Sequence, residues 1–387
     1  MRPKILFVVM SAVHQASVLD QLARALAPHQ VLVHHDFSQT PEFELHEPNV
    51  LFVPDPKRTG WADFGFVDGI FHSLNYALKN LEFDYLQLLS PTCLPIKTMS
   101  QFEAHISSGD EAHFGCISLR DDKDALMWVG YRAYTPYPSF RHRVARWLTG
   151  RHFFGSTGRR DEAGIWLKSG FAENRHGRMS LMARIARVSF SVMSHPLFGR
   201  HIFDKDLPPY VGSVWFGARQ HVIEALVAAY ARPGLREYFS RLHIAEEFLI
   251  PTLLKRTGAR AGTLTHYINR FDEAHPRWID DSDFATLSAS PKFFARKFSD
   301  DPTASIRQRV INELAGSIGT AADSPSGRPA PSVKSASRLP EPPRLPESAL
   351  EPKPYSSIPV PTTPDRSGGQ FALREPMPNL GRRSCRP

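Results

Sequence analysis

Over the first 118 residues, short β-rich apolar runs alternate with longer amphipathic stretches. Lys4 to Met10, Val31 to His35, Val50 to Val53, Tyr85 to Leu89 and His113 to Ile117 read as strands. Ser17 to Leu26 and Phe66 to Leu81 carry helical periodicity between them. Strands that alternate with helices predict an α/β fold, with a mostly parallel sheet covered by helices on both faces. Ligands of such sheets bind beyond the carboxyl ends of the strands. The loops after Met10, His35, Val53 and Leu89 are therefore the ones to inspect.

Periodicity fades between residues 119 and 210, which are rich in aromatics and arginines. Within that segment Met179 to Met193 places Leu181, Met182, Ile185, Val188 and Val192 near helical spacing, with Arg184 and Arg187 elsewhere on the cylinder. That pattern fits a packed helix or an interfacial one. Regular structure resumes with Tyr210 to Gly217, a helix from about His221 to Ala231, an apolar run headed by Glu246 and Glu247, and Asp283 to Phe298. Beyond about residue 315 the chain changes character, and residues 321 to 387 hold fifteen of its 33 prolines. Such a segment cannot bury enough apolar surface to offset its conformational entropy, so 315–387 is expected to be a disordered, Pro-rich tail with polyproline II tendency.

The 387 residues, 42% of them hydrophobic, are ample for a large core. Three cysteines, Cys93, Cys116 and Cys385, are too few and too scattered for a disulfide framework, and no Cys/His spacing resembles a zinc site. A reducing cytoplasm suits that composition. The charged and then apolar start of the chain resembles an export signal, but Gln15, Asp20 and Gln21 follow within one amphipathic pattern, so it reads as a first buried strand. No apolar window reaches the length of a membrane span. The net charge of +8 is concentrated in residues 131–210, where fourteen Arg and Lys face five Asp and Glu. This region serves as a solvated face, as the site of a peripheral contact with anionic membrane at the inner face of the plasma membrane, or as a surface for an anionic substrate. No nucleic-acid reading module accompanies it, so no nucleic-acid partner is expected. Walker-type and GxGxxG phosphate loops are also missing from the sequence, which disfavours ATP-fuelled and dinucleotide chemistry.

Several short motifs carry candidate chemistry. Val-His-His-Asp36 ends the second strand with an acid, placed to hydrogen-bond a ribose or base edge in a nucleotide-binding sheet. His34 and His35 face opposite sides of their strand and cannot easily share a metal ion. Thr59-Gly-Trp61 precedes the second helix. The run Leu88-Leu-Ser-Pro-Thr-Cys-Leu-Pro-Ile-Lys97 is a buried strand entering a tight turn fixed by Pro91 and Pro95. Glu246 and Glu247 stand on apolar ground, where desolvation moves a carboxylate toward the range of a catalytic base. The same two acids also suit an ordinary helix N-terminus.

Taken in order, His14, Val-His-His-Asp36, Thr59-Gly-Trp61, Leu89-Ser-Pro-Thr-Cys-Leu-Pro-Ile96, Gly212-Ser-Val-Trp-Phe216, Ala245-Glu-Glu-Phe248 and Phe294-Ala-Arg-Lys-Phe298 resemble the core-2/I-branching β-1,6-N-acetylglucosaminyltransferases and the related peptide O-xylosyltransferases. The resemblance spans about residues 1 to 300. It implies a GT-A-like, Rossmann-type glycosyltransferase domain, with a nucleotide-binding half over 1–118 and an acceptor and catalytic half over 119–300. The implied reaction is inverting transfer from a UDP-sugar, most readily UDP-GlcNAc, to a glycan acceptor, without a metal or other cofactor.

By the same resemblance Glu247 is the general base, and Arg296 and Lys297 stabilise the departing diphosphate, with Arg277 as a further donor. His14, Asp36, Thr59 and Trp61 would line the nucleotide-sugar site, while Ser213, Trp215 and Glu246 would line the acceptor side. Trp215 reads either as a sugar platform or as a core residue. Glu246 is a neighbour of the base or a helix cap. Where a metal-binding Asp-x-Asp would follow the Leu88-Leu89 strand, the chain has Ser-Pro-Thr-Cys, and Asp122-Lys-Asp124 and Asp281-Ser-Asp283 read as loop or cap acids. Val214 replaces an acid found in some xylosyltransferase-like relatives, which argues against peptide xylosylation. The missing cysteines and anchor of the animal enzymes point to a bacterial-type relative. UDP-xylose as donor, or a non-catalytic carbohydrate- or polyanion-binding protein on the same fold, remain the alternatives.

Overall fold

Every residue of Ile5–Ser11, strand β1, is buried, as a central strand covered on both faces requires. The computed structural model describes residues 2–60, 63–119, 158–160, 166–168, 181, 185, 202–242, 244–268, 271–272 and 275–316. Successive β1 side chains enter different cores, because strand side chains alternate. Leu6, Val8 and Met10 join one core, and Ile5, Phe7 and Val9 join the other.

β1 pairs in parallel with β2 (Gln30–His35) and β4 (Tyr85–Leu89), and β2 pairs in parallel with β3 (Val50–Phe52). Further along come β5 (Leu94–Pro95), β6 (Ala112–His113), β7 (Cys116–Ser118), and the antiparallel pair β8 (Gly158–Arg160) and β9 (Trp166–Lys168). β10 (Tyr210–Gly212), β11 (Gly217–Arg219), β12 (Ala261–Gly262), β13 (His266–Ile268), β14 (Phe271–Asp272), β15 (His275–Pro276) and β16 (Phe294–Arg296) complete the described strands. The large sheet runs β12-β6-β11-β4-β1-β2-β3. It is parallel except at β11, which is antiparallel to both β4 and β6. The α/β, mostly parallel sheet expected from the sequence is thus observed.

Helices α1 (Ala16–Ala25) and α3 (Met99–Ile106) supply Leu19, Leu22, Phe102 and Ile106 to the second core. The first core takes Val67, Ile70 and Leu74 from α2 (Gly65–Asn80) and Val222, Ile223 and Leu226 from α4 (Gln220–Tyr230). It also takes Leu235 and Phe239 from α5 (Leu235–Phe239), and Phe248 through Ile250 with Leu253 and Leu254 from α6 (Glu246–Arg256). Helix α7 (Phe284–Ala289) and α8 (Ser305–Glu313) pack on the other face, where Leu287, Ile306, Val310 and Ile311 are buried. The first of two compact units runs from Met1 to Ser324.

Two runs that read as single strands are each broken in two. His113 to Ile117 divides between β6 in the large sheet and β7, which pairs with β10. Tyr210 to Gly217 divides between β10 and β11, because the Ser213 hydroxyl accepts the Trp215 N–H at 3.2 Å and turns the chain locally. Backbone approach at this corner is close, since a Cβ on Gly212 would lie 2.1 Å from the Gly115 carbonyl oxygen. Of the expected helix 179–193, only Leu181 and Ile185 are described, both helical and both exposed. Trp61, Asp122-Lys-Asp124, residues 317–387 of the expected Pro-rich tail and most of the basic segment lie outside the described residues. Among the described residues, no helix is long and apolar enough to cross a membrane.

Candidate active site

The rim beyond the carboxyl ends of β1 and β2 is built around Asp36, which is buried. Its Oδ1 accepts from the Ser38 N–H at 3.0 Å and the Ser38 hydroxyl at 2.7 Å. Its Oδ2 accepts from Gln39 Nε2 at 2.7 Å, the Thr59 N–H at 2.6 Å and the Thr59 hydroxyl at 3.2 Å. Burial alone would raise this carboxyl's pKa; the donors of Thr59, Gln39 and Ser38 outweigh it and hold the group at about 2. Asp36 and Thr59, both expected to line the nucleotide site, are thus brought together, and Asp36 clamps the Thr59 loop to the end of β2. A ribose hydroxyl reaching this carboxylate would have to displace one of those donors.

The two histidines before it serve opposite faces. His34 Nε2 accepts the Lys57 N–H at 2.9 Å, and burial together with His72 pushes its imidazole down to about 4. His35 lies 3.1 Å from the Ser11 hydroxyl and 3.0 Å from the Thr40 carbonyl, stacked on Phe43 at 3.7 Å. Both are structural.

Arg296 and Lys297 reach the rim through a separate small sheet, ordered β13-β16-β5. β16 pairs antiparallel with β5, and the Phe298 N–H donates to the Thr92 carbonyl at 2.9 Å. The cations therefore lie against the turn after β4, where the sequence has Ser-Pro-Thr-Cys. The Arg296 guanidinium sits over the Trp215 ring, Cζ 4.6 Å from its centroid. Lys297 Nζ sits 3.9 Å from the centroid of Trp278. Burial lowers the Arg296 pKa, against the opposing pull of Cys93 and Glu247, which places the Glu247 carboxylate within electrostatic reach of this cation. Burial and the neighbouring Arg296 likewise lower Lys297, opposed by Asp300. His266, beside Trp215 at 6.3 Å between ring centroids, is pushed down to about 3 by burial, Arg296 and Lys292, and is neutral.

Glu246 and Glu247 form the first turn of α6. Pro251 lies inside that helix and has no N–H, so it cannot make the helical bond to the Glu247 carbonyl. Two residues before Glu246, Ile244 has φ of 57°, a left-handed conformation that costs energy in a β-branched residue. Both glutamates are half-buried.

Other expectations are corrected or extended. Trp215 is only 6% exposed and carries Arg296 on its ring, so the open sugar platform weighed for it is not present; it is a core residue that seats a cation. Ser213 is buried and its hydroxyl is engaged by the Trp215 N–H. Arg277 is held by two acids, with Nη1 on Asp280 at 2.7 Å and Nη2 on Asp283 at 2.5 Å, so its charge is already balanced by carboxylates. That pairing leaves Asp283 a structural acid, in keeping with the reading of Asp281-Ser-Asp283 as cap residues. His14 Nδ1 lies 3.0 Å from Asp300 Oδ1, and the Gln15 N–H donates to Oδ2 at 3.4 Å. Asp300 and Trp278 escaped the sequence reading. Their only signals were adjacency, Trp278 to Arg277 and Asp300 three residues after Lys297.

Two adjacent cations thus lie against the turn after β4 of a mostly parallel sheet, with the Glu247 carboxylate within electrostatic reach of Arg296. Residues 6–135, about a third of the chain, match the family model of the Core-2/I-Branching enzyme. The matched region contains β1, Asp36, Thr59 and the turn after β4; Glu247, Arg296 and Lys297 lie beyond it. No curated protein sequence matches the chain. Among solved structures, "WbbM bifunctional glycosytransferase apo structure" is similar at 8% identity with a TM-score of 0.31, covering 76% of this chain and 46% of that one. The chain therefore spans less than half the length of that structure.

Proposed function

We propose that this protein is a glycosyltransferase that catalyses inverting, metal-independent transfer from a UDP-sugar, UDP-GlcNAc first among donors, to a hydroxyl of a glycan acceptor. Glu247 takes the proton of that hydroxyl as its oxygen bonds to the anomeric carbon from the face opposite UDP. The bond from the anomeric carbon to the diphosphate oxygen breaks, its electron pair stays with UDP, and Arg296 and Lys297 receive the developing charge. The observation that carries the reading is the seating of Arg296 and Lys297 against the turn after β4, with the Glu247 carboxylate within electrostatic reach of Arg296, because a base and a leaving-group cation must flank one reacting carbon. The antiparallel pairing of β16 with β5 supports the metal-free part, since it brings two fixed cations to the turn where a metal-binding acid pair would otherwise stand.

The test is Glu247→Gln, which keeps shape and removes the base. Transfer should fall by about 10²- to 10⁴-fold while UDP affinity, read by calorimetry, is largely retained. Wild-type turnover in the variant would refute the assignment. A screen of UDP-GlcNAc, UDP-xylose, UDP-glucose and UDP-galactose identifies the donor.

A further inference from the structure

Arg296 and Lys297 are adjacent like charges, partly withdrawn from water, and the guanidinium of Arg296 lowers the stability of the charged form of Lys297. Ordinarily such a pair is neutralised by carboxylates, as Arg277 is by Asp280 and Asp283. Among the described residues neither Arg296 nor Lys297 forms an ion pair with an acid. Each instead rests on its own indole, Arg296 on Trp215 at 4.6 Å and Lys297 on Trp278 at 3.9 Å. Asp300 is the acid whose field reaches Lys297, and its two oxygens are engaged by His14 and the Gln15 N–H.

Trp278 is 46% exposed, unusual for so large an apolar side chain, yet its backbone is firmly seated. Ile279, next to it, is 2% exposed in the second core, and the Ile279 N–H donates to the Lys297 carbonyl at 2.8 Å. On its other side Arg277 is tied to Asp280 and Asp283. The same segment that presents the indole is thus hydrogen-bonded to the residue whose ammonium the indole receives.

Resting on the proposed UDP-sugar reaction, we propose that Trp278 is a positioning residue: its ring holds the Lys297 ammonium in place, still charged and uncompensated, for the diphosphate of the donor. A carboxylate in that position would cancel the charge that the leaving group needs. An aromatic face attracts a cation through its quadrupole, carries no net charge, and occupies only one side of the ammonium, leaving N–H donors for phosphate oxygens. Holding the long lysine side chain in advance also removes ordering entropy from the binding step.

The experiment is UDP calorimetry and steady-state transfer kinetics on the full chain with Trp278→Tyr, Trp278→Phe and Trp278→Leu, each alone and in a Lys297→Met background. With Lys297 present, UDP affinity should fall in the order Trp, Tyr, Phe, Leu, the Leu variant losing about tenfold. In the Lys297→Met background the Leu substitution should cost little more, because the partner is gone. Tyr and Phe should rescue what Leu does not, a grading that side-chain size alone does not produce. Equal affinity across the series, or the same loss with and without Lys297, overturns the inference while leaving the donor reading intact. Failure of the wild-type protein to bind UDP overturns both.

Discussion

Replacing Asp36 with Asn tests whether the rim of the nucleotide side is held by one carboxylate. The isosteric amide keeps one acceptor oxygen, which can still take the Ser38 N–H and hydroxyl. Its NH₂ would then face Gln39 Nε2 and the Thr59 N–H, donors now 2.7 Å and 2.6 Å from Oδ2. Holding this carboxyl at about 2, against an ordinary value of 3.8, corresponds to about 2 to 3 kcal/mol at neutral pH. A buried donor left unsatisfied adds about 1 kcal/mol or more, giving about 3 to 4 kcal/mol in all.

The sign follows from proton binding. A folded-state pKa below the unfolded one means that the unfolded chain binds more protons between the two values. The contribution is therefore complete above about pH 5 and is lost as pH falls toward 2, with roughly half of the charge part gone by pH 3. Guanidinium unfolding followed by circular dichroism, on wild type and Asp36→Asn at pH 7 and pH 3, measures both quantities. A difference under about 1 kcal/mol at pH 7, or one that is the same at pH 3, would refute the account, because five donors on one buried carboxylate could not then be its source.

Gly217→Ala should destabilise the protein by about 1 to 3 kcal/mol, seen as a lower guanidinium midpoint with an unchanged slope. The new methyl would lie 2.2 Å from Tyr85 Oη and 2.5 Å from Gln87 Oε1, both rooted in the central β4; an unchanged midpoint would show that β11 can shift freely against it. Excess EDTA should leave the transfer rate at its untreated value, and a strict Mn²⁺ requirement for activity would sink the metal-free mechanism.

Much of the architecture was legible because it rests on local signals. β1, β2 and β4 are short apolar runs set between amphipathic stretches, and that alternation fits parallel strands with covering helices whatever the rest of the chain does. That Pro251 makes no helical bond to the Glu247 carbonyl was legible for an equally local reason, a missing N–H. The split of 113–117 and of 210–217 was less legible. Those breaks depend on a backbone approach between Gly212 and Gly115, residues far apart in the chain, and on one hydroxyl choosing a nearby N–H.

The sequence by itself determined the order of strands and helices and the residue types able to do the chemistry: an acid pair at a helix start, and adjacent Arg and Lys near the end of the domain. Only the tertiary structure decided what those side chains face. Trp215 could be a platform or a core residue until Arg296, 81 positions away, was found on its ring. His14 and Asp300 meet across 286 positions, and Asp36 reaches Thr59 across 23. Periodicity reports which face of an element is buried, because burial repeats along the chain; it says nothing of which distant side chain fills the space opposite, and there the chemistry is set.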